Sequence, residues 1–249
     1  MDTQLFGRAR FHLIQTMEAG VRVLVIPDCH CPAMHPRFPD WLAEIHSQWQ
    51  CERVVHIGDL VDNLALNFHK KKPSLKNPVA EKERAQNQID RLTKLFPKAD
   101  WLLGNHDILP WRWADEVGIP HDYLRKPSQI WKVPWKCHPR YADLRIEGVI
   151  YRHGDKGKGG RMAAISNANA EHCSVVQGHL HQQGGVEYLA NTKHRIFGCQ
   201  TGCGVNDKSL HFEYGRKYNA KSVLGCAVVV DGHTAYFEPM PEKLAKDLK

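Results

Sequence analysis

The sequence predicts an α/β protein, and three observations carry that reading. Short apolar runs at 21–26, 53–57 and 99–103, the first rich in β-branched residues, alternate with stretches of helical periodicity at 38–49 and 79–96. Each run stops abruptly in a short polar cluster containing Asp, Asn or His. Toward the C-terminus, pieces at 194–199, 223–230 and 233–238 alternate like short strands, which suggests a second, largely antiparallel sheet. A chain of 249 residues can bury a sizeable core as one domain. With 42% hydrophobic and 24% charged residues it is not a disordered chain.

The first twenty residues carry an early acid, scattered charges and no long apolar run, so they do not read as a signal peptide. Nowhere do about 18 apolar residues follow one another, so no membrane span is expected and the expected location is cytoplasmic. Val21 to Ile26 is nearly continuous in Val, Leu and Ile and reads as a buried central strand. Pro27 stops it, and Asp28-Cys29-His30 comes next. Phe38, Trp41, Leu42, Ile45 and Trp49 share one helical face. Arg53 to Ile57 is the second strand, succeeded at once by Gly58-Asp59-Leu60-Val61-Asp62.

Residues 63–78 form an excursion in which Lys70, Lys71, Lys72 and Lys76 lie among Pro73, Ser74, Asn77 and Pro78. It is either a solvated surface loop or a rim that attracts phosphates, with His69 and Lys72 as candidate substrate contacts. Ala85, Ile89, Leu92 and Phe96 mark the next helix, which Pro97 ends. Ala99 to Leu103 is the third strand. It runs into Gly104-Asn105-His106-Asp107, where a Gly permits a sharp turn at the strand's carboxyl end and aims the next side chains into a crevice.

Residues 1–249 read as one domain with an aromatic-rich insertion at about 108–147. Trp101, Trp111, Trp113, Trp131 and Trp135 fall between 101 and 135, and five prolines interrupt any long element of the insertion. Such aromatics either anchor an irregular segment by burial or offer faces on which bases stack. Val149 to Arg152 is a strand ending at His153-Gly154-Asp155. The Gly-rich stretch to Arg161 precedes a helix at 161–170. Lys156, Lys158 and Arg161 there either hold a phosphate or belong to a plain connector. Ser174 to Gln177 leads into Gly178-His179-Leu180-His181.

The polar residues at the strand ends are Asp28, His30, Asp59, Asn105, His153, His179 and His181. Carboxylates, imidazoles and one amide make a mixed oxygen and nitrogen donor set, suited to Mn, Fe, Zn or Ni. Seven donors are too many for one ion but suit two if a carboxylate bridges, with ions roughly 3.5–4 Å apart. The eight cysteines form no C-x-x-C pair and read as reduced thiols. A net charge of +7 favours an anionic partner without proving one.

The order D-x-H at 28–30, G-D-x-x-D at 58–62, G-N-H-D at 104–107, a lone His at 153 and G-H-x-H at 178–181 resembles the calcineurin-like metallophosphoesterase superfamily. The resemblance implies a four-layer α/β/β/α sandwich of two mixed sheets flanked by helices. It implies that Asp28, His30, Asp59 and His181 hold one metal while Asp59, Asn105, His153 and His179 hold the other, with Asp59 bridging. His106 would not ligate. It would contact a phosphoryl oxygen or protonate the leaving alkoxide, with Asp62 orienting its imidazole. The implied activity is hydrolysis of phosphodiester bonds in nucleotides or nucleic acid by metal-activated hydroxide, with two divalent ions, Mn foremost. The alternatives are a phosphomonoesterase, a cyclic-nucleotide phosphodiesterase, or a non-catalytic nucleic-acid-binding protein. Asn63 stands where protein-phosphatase members carry an Arg, which argues against a phosphoprotein substrate. Gly118-Ile119-Pro120 and Val223 to Met240 resemble the bacteriophage branch, which would place the protein in a host bacterial cytoplasm.

Overall fold

The computed structural model describes residues 20–68, 73–209 and 221–248. The first nineteen residues and the candidate contacts His69 and Lys72 lie outside them. Strand β1 (Arg22–Ile26) is apolar on both faces and is the buried centre of the larger sheet. Helix α1 (Phe38–Trp49) occupies the residues that the periodicity marks, with Pro39 in its first turn and Gln50 in a left-handed conformation ending it. Strand β2 (Arg53–His56) is next. Helix α2 (Pro78–Leu95) begins where Asn77 accepts the backbone N–H groups of Val79 and Ala80, both at 3.1 Å. It leads to β3 (Asp100–Leu102).

Helix α3 (Leu109–Val117), the single turn α4 (Pro127–Ile130) and strands β4 (Lys136–His138) and β5 (Leu144–Ile146) lie within the aromatic-rich stretch. After them come β6 (Val149–Arg152), α5 (Ala163–Glu171), β7 (Val175–Gln177), β8 (Gly184–Ala190) and β9 (Arg195–Thr201). Strands β10 (Gly225–Val230) and β11 (Thr234–Pro239) and helix α6 (Glu242–Lys246) close the chain. No helix among the described residues is long and apolar enough to cross a membrane.

One sheet has the order β11-β10-β1-β2-β3-β4 and the other β5-β6-β7-β9-β8. In the first, β1 to β4 run parallel, while β10 and β11 add antiparallel to β1. In the second, β6, β7 and β9 run parallel, with β5 and β8 antiparallel at the edges. The late pieces therefore do not form a largely antiparallel second sheet. The sheet is mixed, and the last two pieces belong to the first sheet. Alternation marks a half-buried strand but carries no information on its neighbour, and here Ala227 and Val229 have partners in Val25 and Val23.

The two sheets pack face to face through Val23, Val25, Val55 and Leu102 on one side and Tyr151, Val176, Phe197 and Cys199 on the other. The outer face of the first sheet, through Leu24, Ile26 and Trp101, is covered by α1 and α2. Helix α5 covers the second through Ile165 and Ala168. The protein is thus a four-layer α/β/β/α sandwich. Trp101, Trp131 and Trp135 are buried in the outer core, as anchoring predicts, whereas Trp113 is exposed.

Asp100 fastens three parallel strands of the first sheet. Its carboxylate accepts from Arg53 on β2 at 2.9 and 3.2 Å and pairs with the His138 ring on β4 at 2.7 Å. Burial pushes that carboxyl up, but His138 and Arg53 outweigh it and leave its pKa below the usual value. A depressed carboxyl stabilises the fold above its unfolded pKa, and that contribution is lost as the pH falls through the folded pKa. Asp100→Asn is expected to destabilise the protein by about 1–3 kcal/mol at pH 7. Urea unfolding should show the difference from the wild type shrinking below about pH 4.

Candidate metal centre

Five polar turns leave the carboxyl ends of parallel strands from both sheets and meet at one end of the sandwich. The turns after β1, β2 and β3 carry 28–30, 59–62 and 105–107, and those after β6 and β7 carry 153 and 179–181. Backbone hydrogen bonds zip the first two turns together. The N–H groups of Cys29 and His30 both donate to the Asp59 carbonyl, at 3.0 and 2.9 Å, and Asp62 N–H donates to the Cys31 carbonyl at 3.0 Å.

His30, Asp59 and His179 all sit at positive φ, at 48°, 50° and 68°. A non-glycine residue there is strained by about 1–3 kcal/mol, so the surroundings must hold it. Two glycines are required by close approach instead. A Cβ on Gly104 would collide with the Asp59 carboxylate and backbone N, and one on Gly178 with the Asp28 carboxylate and Ile57.

The seven expected donors come together. Asp28, His30 and His181 form one cluster of mutually close donor atoms, and Asp59, His153 and His179 form another. His181 Nε2 lies 3.1 Å from Asp28 Oδ2, and His30 Nε2 lies 3.5 Å from Asp59 Oδ2. His153 Nδ1 donates to the Ile57 carbonyl at 3.2 Å, which turns Nε2 toward Asn105 Oδ1 at 3.0 Å and Asp59 Oδ2 at 3.3 Å. A ring nitrogen, an amide oxygen and a carboxylate oxygen thus converge in a buried space. A proton or a cation must lie among them, and the donor types fit a divalent cation.

Without a cation the protons respond. Burial disfavours a charged His153 ring, but Asp59 and Asp28 outweigh it and hold its pKa up to about 10. Burial pushes the Asp59 carboxyl up, yet His153 and His106 hold it well below the usual range. His179 is lowered by burial and by the His153 charge.

His106 lies beside these donors. A third cluster, His30, Asp59 and His106, includes its ring. Its backbone N–H donates to Asp59 Oδ1 at 2.8 Å, and its Nδ1 donates to the Asp62 carbonyl at 2.7 Å with Asp62 Oδ1 at 3.3 Å. Asp62 Oδ1 also lies 3.1 Å from His30 Nδ1. Burial opposes the charge on His106, and Asp59 and Asp62 overcome it, holding the pKa up to about 10. Asp107 accepts from the N–H groups of Gly104 and Val61, at 2.9 and 3.1 Å, so both its oxygens support the turn. Cys29 and Cys31 are buried thiols raised by burial, and no cysteine joins the clusters among the described residues.

A model of the calcineurin-like phosphoesterase family matches residues 21–236. The chain belongs to this family. No curated protein sequence matches it. Among solved structures it is similar to Vacuolar Protein Sorting 29 from Cryptosporidium parvum, at 12% identity and a TM-score of 0.45, covering 90% of this chain and 99% of that one. It is also similar to Yfce, a phosphoesterase from E. coli, at 13% identity and a TM-score of 0.37, covering 84% and 87%. Vps29 from Chaetomium thermophilum shows 10% identity and a TM-score of 0.42, covering 89% and 96%. Likenesses this distant say nothing of activity. Membership of the calcineurin-like phosphoesterases, with the His and Asp clusters, supports a metal-dependent phosphoesterase.

Several residues of this phosphoesterase centre escape the sequence motifs. Asn63, legible only as a missing Arg, donates to the His106 carbonyl at 2.9 Å. Glu81 reaches across from α2 to accept the N–H groups of Leu64 and Ala65, at 2.6 and 2.8 Å, fixing the turn after Asp62. A buried amide ladder runs from Asn167 to Gln177 to Gln200 and ends on the Gly178 carbonyl. Arg140 pairs with Asp155 at 2.7 Å. No local pattern announces these contacts, because each partner is distant in sequence. Of the basic residues in the Gly-rich connector, Lys156 ties down the loop through Asp143 and the Tyr141 carbonyl. Lys158 and Arg161 are exposed.

Manganese at 100 times its Kd is expected to stabilise the protein by about 2.7 kcal/mol, read as a rise in melting temperature that EDTA reverses. Gly104→Ala, whose Cβ displaces Asp59, should lower stability by about 1–3 kcal/mol and weaken manganese affinity about tenfold or more, which at least roughly halves that stabilisation at the same concentration. An unaltered manganese-dependent rise in this variant would show that Asp59 does not hold the ion.

Proposed function

We propose that the protein is a two-metal phosphodiesterase acting on nucleotides or nucleic acid. The observation that carries this reading is the convergence of His153 Nε2, Asn105 Oδ1 and Asp59 Oδ2 beside the Asp28, His30 and His181 cluster. Asp59 stands between the two sets, within 3.5 Å of His30 and 3.3 Å of His153. In this reading Asp28, His30, His181 and Asp59 hold one ion, and Asp59, Asn105, His153 and His179 hold the other. Manganese is the foremost candidate, with zinc, iron and nickel also suited to the donors. Divalent ions held there would supply charge to neutralise phosphate oxygens and would lower the pKa of a bound water.

The chain's own residues do the rest. Asp62 engages His106 Nδ1 through both its carbonyl and its carboxylate, which fixes the ring and leaves Nε2 for the substrate. Asn63 pins the His106 backbone from the other side. Held at Nδ1 by Asp62, a protonated His106 donates its Nε2 proton to the departing alkoxide oxygen. The ring sits at the rim of the buried set and remains 17% exposed, consistent with a group that meets substrate. No side-chain nucleophile is required.

A diester is favoured over a phosphoprotein because Asn63 replaces a phosphate-clamping Arg, and over a small neutral substrate because the chain carries a net charge of +7. With manganese, the purified protein should hydrolyse bis-p-nitrophenyl phosphate faster than p-nitrophenyl phosphate. The reverse order would make it a phosphomonoesterase. A second prediction separates the roles. His106→Asn should retain manganese by calorimetry while losing about 10²–10⁴-fold in kcat, whereas Asp59→Asn should lose both. Normal turnover by His106→Asn would remove its role as proton donor. Salt-dependent DNA binding with no hydrolysis under any metal would instead point to a non-catalytic binder.

A further inference from the structure

An aromatic pair on the segments that flank the His106 turn takes no part in holding cations. Phe68 and Trp113 stack with ring centroids 4.7 Å apart and planes 19° apart. Both remain exposed, at 47% and 40%. Trp101, Trp131 and Trp135 are at most 4% exposed and carry the packing, and Trp111 is half-buried. Trp113 Nε1 donates to the Leu66 carbonyl, so the polar edge of the indole is satisfied within the chain and the ring is held in place. The Arg112 guanidinium lies over the Phe68 ring, 4.9 Å from its centre, so a positive charge caps the pair on the Phe68 side.

The pair is tethered to the site. The His106 carbonyl accepts from Asn63 Nδ2 at 2.9 Å and from Leu109 N–H at 3.2 Å. From Asn63 a single 3₁₀ turn, Leu64–Leu66, carries the chain to Phe68. From Leu109 the first turn of α3 carries it to Trp113, a rise of about 6 Å. Both rings are thus joined to the His106 backbone by short segments of chain.

We propose that Phe68 and Trp113 form a base-stacking platform, a subsite for a nucleobase adjacent to the reacting diester of a single-stranded nucleic acid. Trp113, backed by Phe68, offers its outer indole face to a base of the kind that stacks without sequence preference, and Arg112 supplies a cation at the stack for a neighbouring phosphate. The identity of the reacting diester rests on the function proposed above; the stacking itself does not.

The test is binding without turnover. In EDTA, fluorescence anisotropy compares a labelled single-stranded oligonucleotide with an abasic strand of the same length. The wild type should bind the base-bearing strand about tenfold more tightly or better. Trp113→Ala and Phe68→Ala should lose that preference while binding the abasic strand as the wild type does. Trp113→Phe should retain it. Thermal unfolding establishes that each variant is folded, and because both side chains lie at the surface, either alanine variant alone decides the outcome. Equal affinity of the wild type for both strands, or for neither, overturns the platform, as does an unchanged preference in the alanine variants. So does a wild-type dimer that only the alanine variants dissolve while strand binding is unaltered, since the rings would then serve a protein contact. If the base preference holds but no diester is hydrolysed, the proposed activity falls and the platform stands.

Discussion

Burial of charge where two sheets meet is the constraint on which the rest of the structure depends. Asp28, Asp59, Asp62 and Asp107 are all at most 2% exposed, and His30 and His153 are nearly as deep. An unpaired ion in such a place costs several kcal/mol. Here each carboxylate faces an imidazole or a backbone N–H, so the set balances internally. Burial alone would discharge His153 and His106, yet both are held as cations by Asp59 and its neighbours. A divalent ion entering this set takes over the balancing role from a proton, which couples its binding to proton release. The same arrangement explains why the crevice is stable as a protein feature and reactive as a chemical one.

The frame that holds these groups is made of apolar residues. Val23, Val25, Val55, Tyr151, Val176 and Phe197 fix the two sheets against each other, so the strand ends keep their separation. The turns add their own ties, such as the paired donation from Cys29 and His30 to the Asp59 carbonyl. His30, Asp59 and His179 remain in left-handed backbone conformations only because packing and hydrogen bonds on every side hold them there. Gly104 and Gly178 let carboxylates approach the backbone more closely than any side chain would permit. Rigid strands thus position short, strained turns, a division that suits a site whose donors must match an ion within a few tenths of an ångström.

Much of this was legible in the chain. The helix over 38–49 shows in the spacing of Phe38, Trp41, Leu42 and Ile45, and the same residues are buried in the structure. The ligand-type residues are legible because they sit directly after short apolar runs, and parallel strands deliver the turns at their carboxyl ends to one end of the sheet. The placement of 225–230 and 234–239 was not legible. Their alternation is the same whether they pair with β1 or with the second sheet, and pairing depends on which edge the chain can reach. The aromatic-rich stretch was legible only in outline, because its pieces are three to nine residues long and are anchored by burial of Trp131 and Trp135 rather than by periodicity.

The sequence by itself determined the α/β class, the residue types of the donor set and their order, because local spacing and composition decide which segments extend and what chemistry they end in. Only the tertiary structure decided that His153 Nε2 meets Asn105 and Asp59, that Asn63 and Glu81 brace the turns around His106, and that Trp113 stays exposed while its neighbours are buried. Those outcomes join residues from about 20 to 100 positions apart. Their geometry is set by how two sheets pack, and a pattern read along one chain does not contain that distance.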